Sequence, residues 1–179
     1  MRVRVKGLEN MPTEGGLIVA GNHVSYWDPV IIAVKLPRTI NFMAKAEFFS
    51  VPVFSSLLRG LHVFPVKRGS ADRQAIRHAI ALLEQGKVLG IFPEGTRNQS
   101  GEDLKAQSGV AMIAAKTGAP VLPVACVGRY LSKRPGWFWP RELHIGALIE
   151  MSQYRDQKIN SQQLEDISAE ILDKINKLL

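Results

Sequence analysis

A histidine and an aspartate lie five residues apart in the segment GNHVSYWDP, residues 21–29. The apolar run before this segment is typical of a buried strand that ends near Asn22, and Asp28-Pro29 is typical of the start of a helix. At this spacing the Asp28 carboxylate can accept a hydrogen bond from one ring nitrogen of His23, which leaves the other nitrogen free to act as a general base. The alternative interpretation is a surface histidine beside an ordinary N-cap aspartate.

A second polar turn, FPEGTR at residues 92–97, directly follows the apolar run VLGIF. Pro93 and Gly95 predict a tight turn, in which Gly95 lets the backbone approach a ligand closely. Arg97 offers a rigid guanidinium fork for phosphate or carboxylate, and Glu94 could orient that fork or bind a substrate hydroxyl. The alternative interpretation is a structural loop with a Glu–Arg pair.

Two further segments are candidates for the same region. Lys67 and Arg68 end the strand-like segment HVFPVKRGS and could converge on the same sheet edge, or they could simply be solvated. In PVLPVACVG, Pro123 predicts an edge strand or a bulge, and Cys126 is most simply a small core residue.

Alternating strands and helices must position these turns. Strands are predicted at residues 1–6, 17–20, 39–44, 62–66, 88–92, 121–127 and 142–149, and helices from residue 28 and over 48–58, 70–85, 108–117 and 161–179. The alternation predicts the α/β class, with one domain over residues 1–179 and a mixed, largely parallel sheet flanked by helices. Ligands of such sheets collect beyond the carboxyl ends of the strands.

The composition excludes several classes of protein. The chain has 179 residues, of which 46% are hydrophobic, and a formal net charge of +7. One cysteine excludes a disulfide framework, and four scattered histidines predict no metal site. No apolar run approaches the roughly 20 residues of a membrane-spanning helix, and MRVRVKGLEN lacks the apolar stretch of a signal peptide. The charge favours an anionic partner, but the basic and aromatic pattern of an RNA-binding sheet is missing, so nucleic acid is not expected.

The order of these segments resembles that of the glycerolipid acyltransferase family, in particular its members that act on 1-acyl-sn-glycerol-3-phosphate. The shared pattern is His-(any four)-Asp, a segment with Gly60, Phe64 and Arg68, then Phe-Pro-Glu-Gly-Thr-Arg, then Val-x-Pro-Val, and it spans Gly21 to Val127. The resemblance implies a glycerol-3-phosphate acyltransferase-like fold. It also implies transfer of a fatty acyl group, in phospholipid biosynthesis, from acyl-CoA or acyl carrier protein to lysophosphatidic acid, giving phosphatidic acid.

The resemblance further implies roles for single residues. His23, oriented by Asp28, would deprotonate the acceptor hydroxyl. Because the thioester is already activated, no protein nucleophile is needed, and the sequence has no G-x-S-x-G elbow. No metal or cofactor is implied besides the donor substrate. The implied substrate-binding residues are, for the acceptor phosphate, Arg97 with Arg68; for the thioester oxyanion, Lys45; and for the glycerol pocket, Glu94, Gly95 and Thr96.

Lipid substrates require contact with a bilayer. The segment PGWFWP places Trp137, Phe138 and Trp139 between basic residues, which favours contact with an anionic membrane surface over a packed hairpin. Apolar residues within 48–54 are a second candidate surface, or else the lining of an acyl tunnel or part of the core. We expect a cytoplasmic protein that is peripheral on the inner face of the cell membrane.

Other functions fit parts of this pattern. A thioester hydrolase would use the same base with water in place of the lipid hydroxyl. Another acceptor, such as glycerol-3-phosphate, a different lysophospholipid or an aminoacyl lipid, would use the same chemistry. A non-catalytic module that binds anionic lipid or nucleic acid would use the positive charge alone.

Overall fold

The computed structural model describes residues 3–25, 27–67, 72–96, 106–128 and 142–179. These residues form seven strands and five α-helices. In chain order they are β1 (Arg4–Lys6), β2 (Leu17–Gly21), α1 (Asp28–Lys35), β3 (Ile40–Lys45), α2 (Pro52–Gly60), β4 (Val63–Val66), α3 (Arg73–Glu84), β5 (Val88–Ile91), α4 (Ser108–Thr117), β6 (Val121–Val127), β7 (Glu142–Ile145) and α5 (Ser161–Asn176). Short 3-10 turns lie at Leu8–Asn10, Ala46–Phe49 and Ser152–Tyr154.

The strands form one sheet in the order β1-β7-β6-β2-β5-β3-β4. Strands β2 to β6 are parallel to one another, whereas β7 runs antiparallel to β6 and β1 runs parallel to β7. The predicted α/β class with a mixed, largely parallel sheet is therefore confirmed. The carboxyl ends of β2, β3, β4 and β5 meet at one edge of the sheet, and the polar turns of the sequence leave from that edge.

Both faces of the sheet carry a hydrophobic core. On one face, residues of α3, α4 and α5 pack on the strands, and this cluster includes Ala79, Ala111, Ile113, Ile171, Ile18 and Leu89. On the other face, α1 packs on the sheet in a second cluster that includes Ile31, Ile32, Val19, Phe42 and Val124. Burial on both faces explains why the strands read as continuous apolar runs. No helix among the described residues has both the length and the apolar content required to span a bilayer.

Prolines account for the main differences from the predicted elements. The apolar stretch 48–58 divides into a 3-10 turn and α2, because Pro52 fits only the first turn of a helix. The strand predicted over 142–149 ends at Ile145. Pro123 lies opposite this end in β6 and has no N–H to donate, although its carbonyl accepts from the N–H of Gly146 at 2.9 Å.

Pairing beyond Pro123 resumes only as an isolated bridge between Val121 and Ile149. Between this bridge and the Val124–Ile145 pair, the β6 side has two residues, Leu122 and Pro123, and the other side has three, residues 146–148. The ladder therefore contains a bulge. The prediction of an edge strand at Pro123 is wrong, since β6 lies between β7 and β2. The extra residue of the bulge lies in 146–148, opposite Pro123, and not in β6 itself.

Candidate active site

The turn after β2 wraps around the carboxylate of Asp28. This side chain is fully buried at the start of α1. Its Oδ2 accepts hydrogen bonds from the backbone N–H groups of Val24 at 2.7 Å and Ser25 at 2.5 Å, and it lies 3.3 Å from Nδ1 of His23. The structure therefore brings together the two residues of the predicted catalytic pair.

This contact orients the imidazole of His23. When Nδ1 carries the proton and donates a hydrogen bond to Asp28, Nε2 keeps a free lone pair. The side chain is 14% exposed, so the ring is largely shielded while retaining access to solvent. The arrangement suits a general base that a buried carboxylate holds in place.

Two aromatic rings pack against one face of the His23 imidazole. The ring of His23 stacks on that of Phe92 with centroids 4.2 Å apart, and Phe92 stacks on Phe42 at 6.0 Å. Gly90 makes room for this column, because a Cβ there would lie 2.3 Å from Cε1 of Phe42. Sequence analysis assigned no role to Phe42, Gly90 or Phe92. A glycine inside an apolar strand does, however, indicate that another group packs closely against the backbone there.

Asn22 ties the same turn to the neighbouring strand β6. Its side chain is buried, with Oδ1 accepting from the N–H of Cys126 at 2.8 Å and Nδ2 donating to the Cys126 carbonyl at 3.3 Å. The amide thus continues the sheet's hydrogen bonding beyond Gly21. Sequence reasoning missed this function, and its only local signal was an amide side chain at the end of a buried strand.

Glu94 lies close to His23 and Asp28 and accepts a hydrogen bond from the backbone of His23. Its side chain is buried, and its Oε2 has no hydrogen-bond partner among the described residues. Burial raises the pKa of Glu94 from 4.5 to about 7, a backbone hydrogen bond from His23 opposes the rise, and the charge of Asp28 adds to it. The carboxyl group of Glu94 is therefore partly protonated near neutral pH.

The turn that carries Glu94 depends on Gly95. This glycine has a φ of +67° and donates its N–H to the Phe92 carbonyl at 3.0 Å. A Cβ at this position would lie 2.9 Å from Cγ of Gln107, so only glycine fits without displacing its neighbour. Thr96 follows on the surface. The predicted tight turn is present, while the roles of Gly95 and Thr96 in a glycerol pocket stay predictions.

Lys45 lies at the same sheet edge but on a different face. It ends β3, which is separated from β2 by β5. Side chains alternate along a strand, so Lys45 shares a face with Met43, which packs against the cluster of α3, α4 and α5. The His23 ring instead stacks on Phe92, which packs against the cluster of α1. The oxyanion role of Lys45 stays a prediction.

Several predicted site residues lie outside the described residues. They are the phosphate-binding candidates Arg68 and Arg97 and the membrane-contact candidates Trp137, Phe138 and Trp139. Lys67 and Thr96 are the last described residues before each of the two arginines, and both are exposed. Across the described ranges, no group of three or more His, Cys, Asp or Glu side chains is placed to hold a metal ion.

Comparison with known proteins points to one family. The acyltransferase family model matches residues 2–127. A 1-acyl-sn-glycerol-3-phosphate acyltransferase of Bacillus subtilis is 37% identical over 127 residues, which are 70% of this chain and 63% of the relative. A lyso-ornithine lipid O-acyltransferase of Pseudomonas aeruginosa is 38% identical over 125 residues, or 69% of this chain and 46% of the relative.

The fold is also similar to that of a solved acyltransferase. The crystal structure of the 1-acyl-sn-glycerophosphate (LPA) acyltransferase of Thermotoga maritima matches with a TM-score of 0.75 and 30% identity, covering 99% of this chain and 70% of that one. The chain spans less than two thirds of the length of the Bacillus and Pseudomonas relatives.

Proposed function

Since the chain belongs to the acyltransferase family, we propose that it transfers a fatty acyl group from acyl-CoA or acyl carrier protein to the free hydroxyl of 1-acyl-sn-glycerol-3-phosphate, forming phosphatidic acid. The names of the Bacillus relative and of the Thermotoga structure support this acceptor. The observation that carries the proposal is the His23–Asp28 pair, with a 3.3 Å contact at the carboxyl edge of the sheet.

The proposed reaction needs one base and no protein nucleophile. Nε2 of His23 takes the proton of the acceptor hydroxyl, and the oxygen attacks the thioester carbon. The tetrahedral intermediate collapses, the C–S bond breaks, and the leaving thiolate takes the proton back from the imidazolium. Asp28 stabilises that imidazolium and holds the ring in the tautomer that the first step requires.

The acceptor phosphate needs cationic partners, and we assign this role to Arg97 with Arg68. Each follows a strand, β5 or β4, whose carboxyl end lies at the same edge as His23. A guanidinium binds a phosphate with two parallel hydrogen bonds. Glu94 and Gly95 would form the adjoining wall of the glycerol pocket.

A second acceptor is supported by the Pseudomonas relative, whose name is that of a lyso-ornithine lipid O-acyltransferase. It is 38% identical to this chain, against 37% for the Bacillus relative, whose named acceptor carries a phosphate. An ornithine headgroup carries no phosphate, so it would not use the two arginines in the same way. Comparing kcat/KM for lysophosphatidic acid and for a lyso-ornithine lipid, with both donor types, decides between the acceptors.

The base assignment is tested by His23→Ala in a radiolabelled acyl-transfer assay. We expect the rate to fall by about 10²–10⁴-fold, which is the usual contribution of a general base. The control is His78→Ala, an exposed substitution on α3 that should leave the rate unchanged. A retained rate in His23→Ala contradicts the assignment. Release of free thiol without any acceptor would indicate a hydrolase.

We further propose that the protein works at the cytoplasmic surface of the membrane. Lipid acceptors reside in bilayers, the net charge is +7, and the segment with Trp137, Phe138 and Trp139 has the composition of an interfacial anchor.

A further inference from the structure

Gln107 lies against the turn that carries Glu94 and Gly95. A Cβ added to Gly95 would lie 2.9 Å from Cγ and 3.5 Å from Cδ of Gln107, so the Gln107 side chain fills the space that a side chain at position 95 would occupy. The neighbouring Glu94 carboxyl accepts a hydrogen bond from the backbone of His23. The Gln107 side chain is therefore packed on a turn that is itself bonded to the backbone of the proposed base.

Backbone hydrogen bonds fix the position of Gln107 from two sides. Its N–H donates to the carbonyl of Pro93 at 2.8 Å, which joins it to the turn. Its carbonyl accepts from the hydroxyl of Ser168 at 3.4 Å, and Ser168 is buried on α5. Gln107 thus connects the turn, the start of α4 and α5, and these connections hold its side chain beside Gly95.

The amide of Gln107 is available to a ligand. Gln107 is the N-cap residue of α4, but its side chain does not cap the helix. Within the described part of the chain, the hydrogen bonds of Gln107 involve only its backbone, and the residue is exposed. An amide side chain has two N–H donors and one carbonyl acceptor, so it can bind a phosphate oxygen or a hydroxyl group.

We propose that the amide of Gln107 forms part of the acceptor pocket and contacts the polar headgroup of the acyl acceptor. The inference rests on the proposed function, which places the glycerol of the acceptor against Glu94 and Gly95. An uncharged amide binds a phosphate without the attraction that a cation would add or the repulsion that a carboxylate would cause. Gln107 is thus a specificity-determining residue, and the charge at this position sets how strongly a phosphate headgroup is preferred.

Charge substitutions at position 107 test the proposal. Gln107→Lys and Gln107→Glu both retain Cγ, the atom that packs against Gly95, and change only the group beyond it. The controls are Gln153→Lys and Gln153→Glu, which change the net charge equally. Gln153 is exposed and lies near the opposite end of α4, since a Cβ at Gly118 would be 3.5 Å from Cα of the preceding residue, Ser152. Melting temperatures should match the wild type in all four variants, because both positions are exposed.

Steady-state kinetics give the expected result for each variant. We expect Gln107→Lys to lower the KM for lysophosphatidic acid by about tenfold and Gln107→Glu to raise it by about tenfold, since unit charges about 4 Å apart near a protein surface interact strongly enough for such a change. The KM for the acyl donor should change by less than about twofold, and so should both KM values in the Gln153 variants. A change at position 107 no larger than that in the controls overturns the proposal. It is also overturned if the KM for the donor responds to the charge and the KM for the acceptor does not, since the side chain would then serve the donor.

A binding measurement without turnover separates this proposal from the proposed function. Isothermal titration calorimetry with sn-glycerol 3-phosphate, a soluble form of the headgroup, needs no acyl donor. If the wild type acylates lysophosphatidic acid but neither its KM nor the affinity for sn-glycerol 3-phosphate follows the charge at position 107, the assignment of Gln107 is wrong and the proposed function stands. If the affinity follows the charge but no acceptor is acylated, the proposed function fails and the contact of Gln107 with the headgroup stands.

Discussion

Asp28 combines a structural contact with a chemical one, because the same oxygen accepts from two backbone N–H groups and from His23. Asp28→Asn removes the negative charge that would stabilise an imidazolium at His23 in the proposed reaction, and it can place an NH₂ group against backbone donors. We expect a loss of at least about 10²-fold in kcat and a decrease of about 1–3 kcal/mol in the free energy of unfolding. Steady-state kinetics and urea unfolding measure the two effects. Lost stability with an unchanged kcat would reduce Asp28 to a structural role in the turn after β2.

Glu94 predicts a pH dependence of stability. Because burial raises its folded-state pKa from 4.5 to about 7, the folded chain holds a proton over that interval that the unfolded chain has released. This contribution to stability is complete below pH 4.5 and is lost as the pH rises to about 7. Glu94→Gln, which stays neutral, should therefore be more stable than wild type at about pH 8 by on the order of 1 kcal/mol, after allowance for solvent screening.

Thermal unfolding at both ends of this pH range checks the sign. Glu47→Gln is the matched control, since Glu47 is exposed and its replacement should change stability little at either pH. If Glu94→Gln were less stable than wild type at alkaline pH, the carboxylate would be ionised and paired in the folded protein.

At the scale of elements, β5 positions the imidazole through a glycine. Gly90→Ala would push Phe42 away and disturb the Phe42–Phe92–His23 column, because the added Cβ overlaps the Phe42 ring. We expect the free energy of unfolding to fall by about 1–3 kcal/mol and kcat to fall as well. Gly109→Ala in α4 is the control, because a Cβ there meets nothing within 4 Å. Gly109→Ala should leave stability unchanged or raise it slightly. A similar loss of stability in both variants would mean that the propensity of alanine for the helix or strand, and not contact with the Phe42 ring, causes the effect.

At the scale of the whole molecule, two surfaces are candidates for the membrane. One is the apolar stretch within residues 48–54, where Phe48, Val51 and Val53 are exposed, and the other is the segment with Trp137 and Trp139, which lies outside the described residues. Trp137→Ser/Trp139→Ser should weaken co-sedimentation with anionic vesicles without lowering the melting temperature, because interfacial tryptophans contribute to binding and not to folding. Unchanged co-sedimentation would remove this segment from the membrane contact. Because the net charge is +7, added salt should weaken the binding of the wild type.

Local sequence signals predicted the elements and the contact between His23 and Asp28. Apolar runs, Asp28-Pro29 and the Pro93–Gly95 turn act within a few residues, so the strand–turn–helix units around His23 and Glu94 could be predicted without a structure. The spacing of His23 and Asp28 is also local, since five residues across one turn suffice to bring a ring nitrogen to a carboxylate.

The contacts that fix the site's geometry depend instead on the order of the strands. Asn22 binds the backbone of Cys126, 104 positions away, only because β6 lies beside β2. Phe92 reaches the His23 ring because β5 inserts between β2 and β3, and the alternation of β3 sends Lys45 to the other face. No local pattern encodes these pairings, because strand order results from packing the whole chain around two cores.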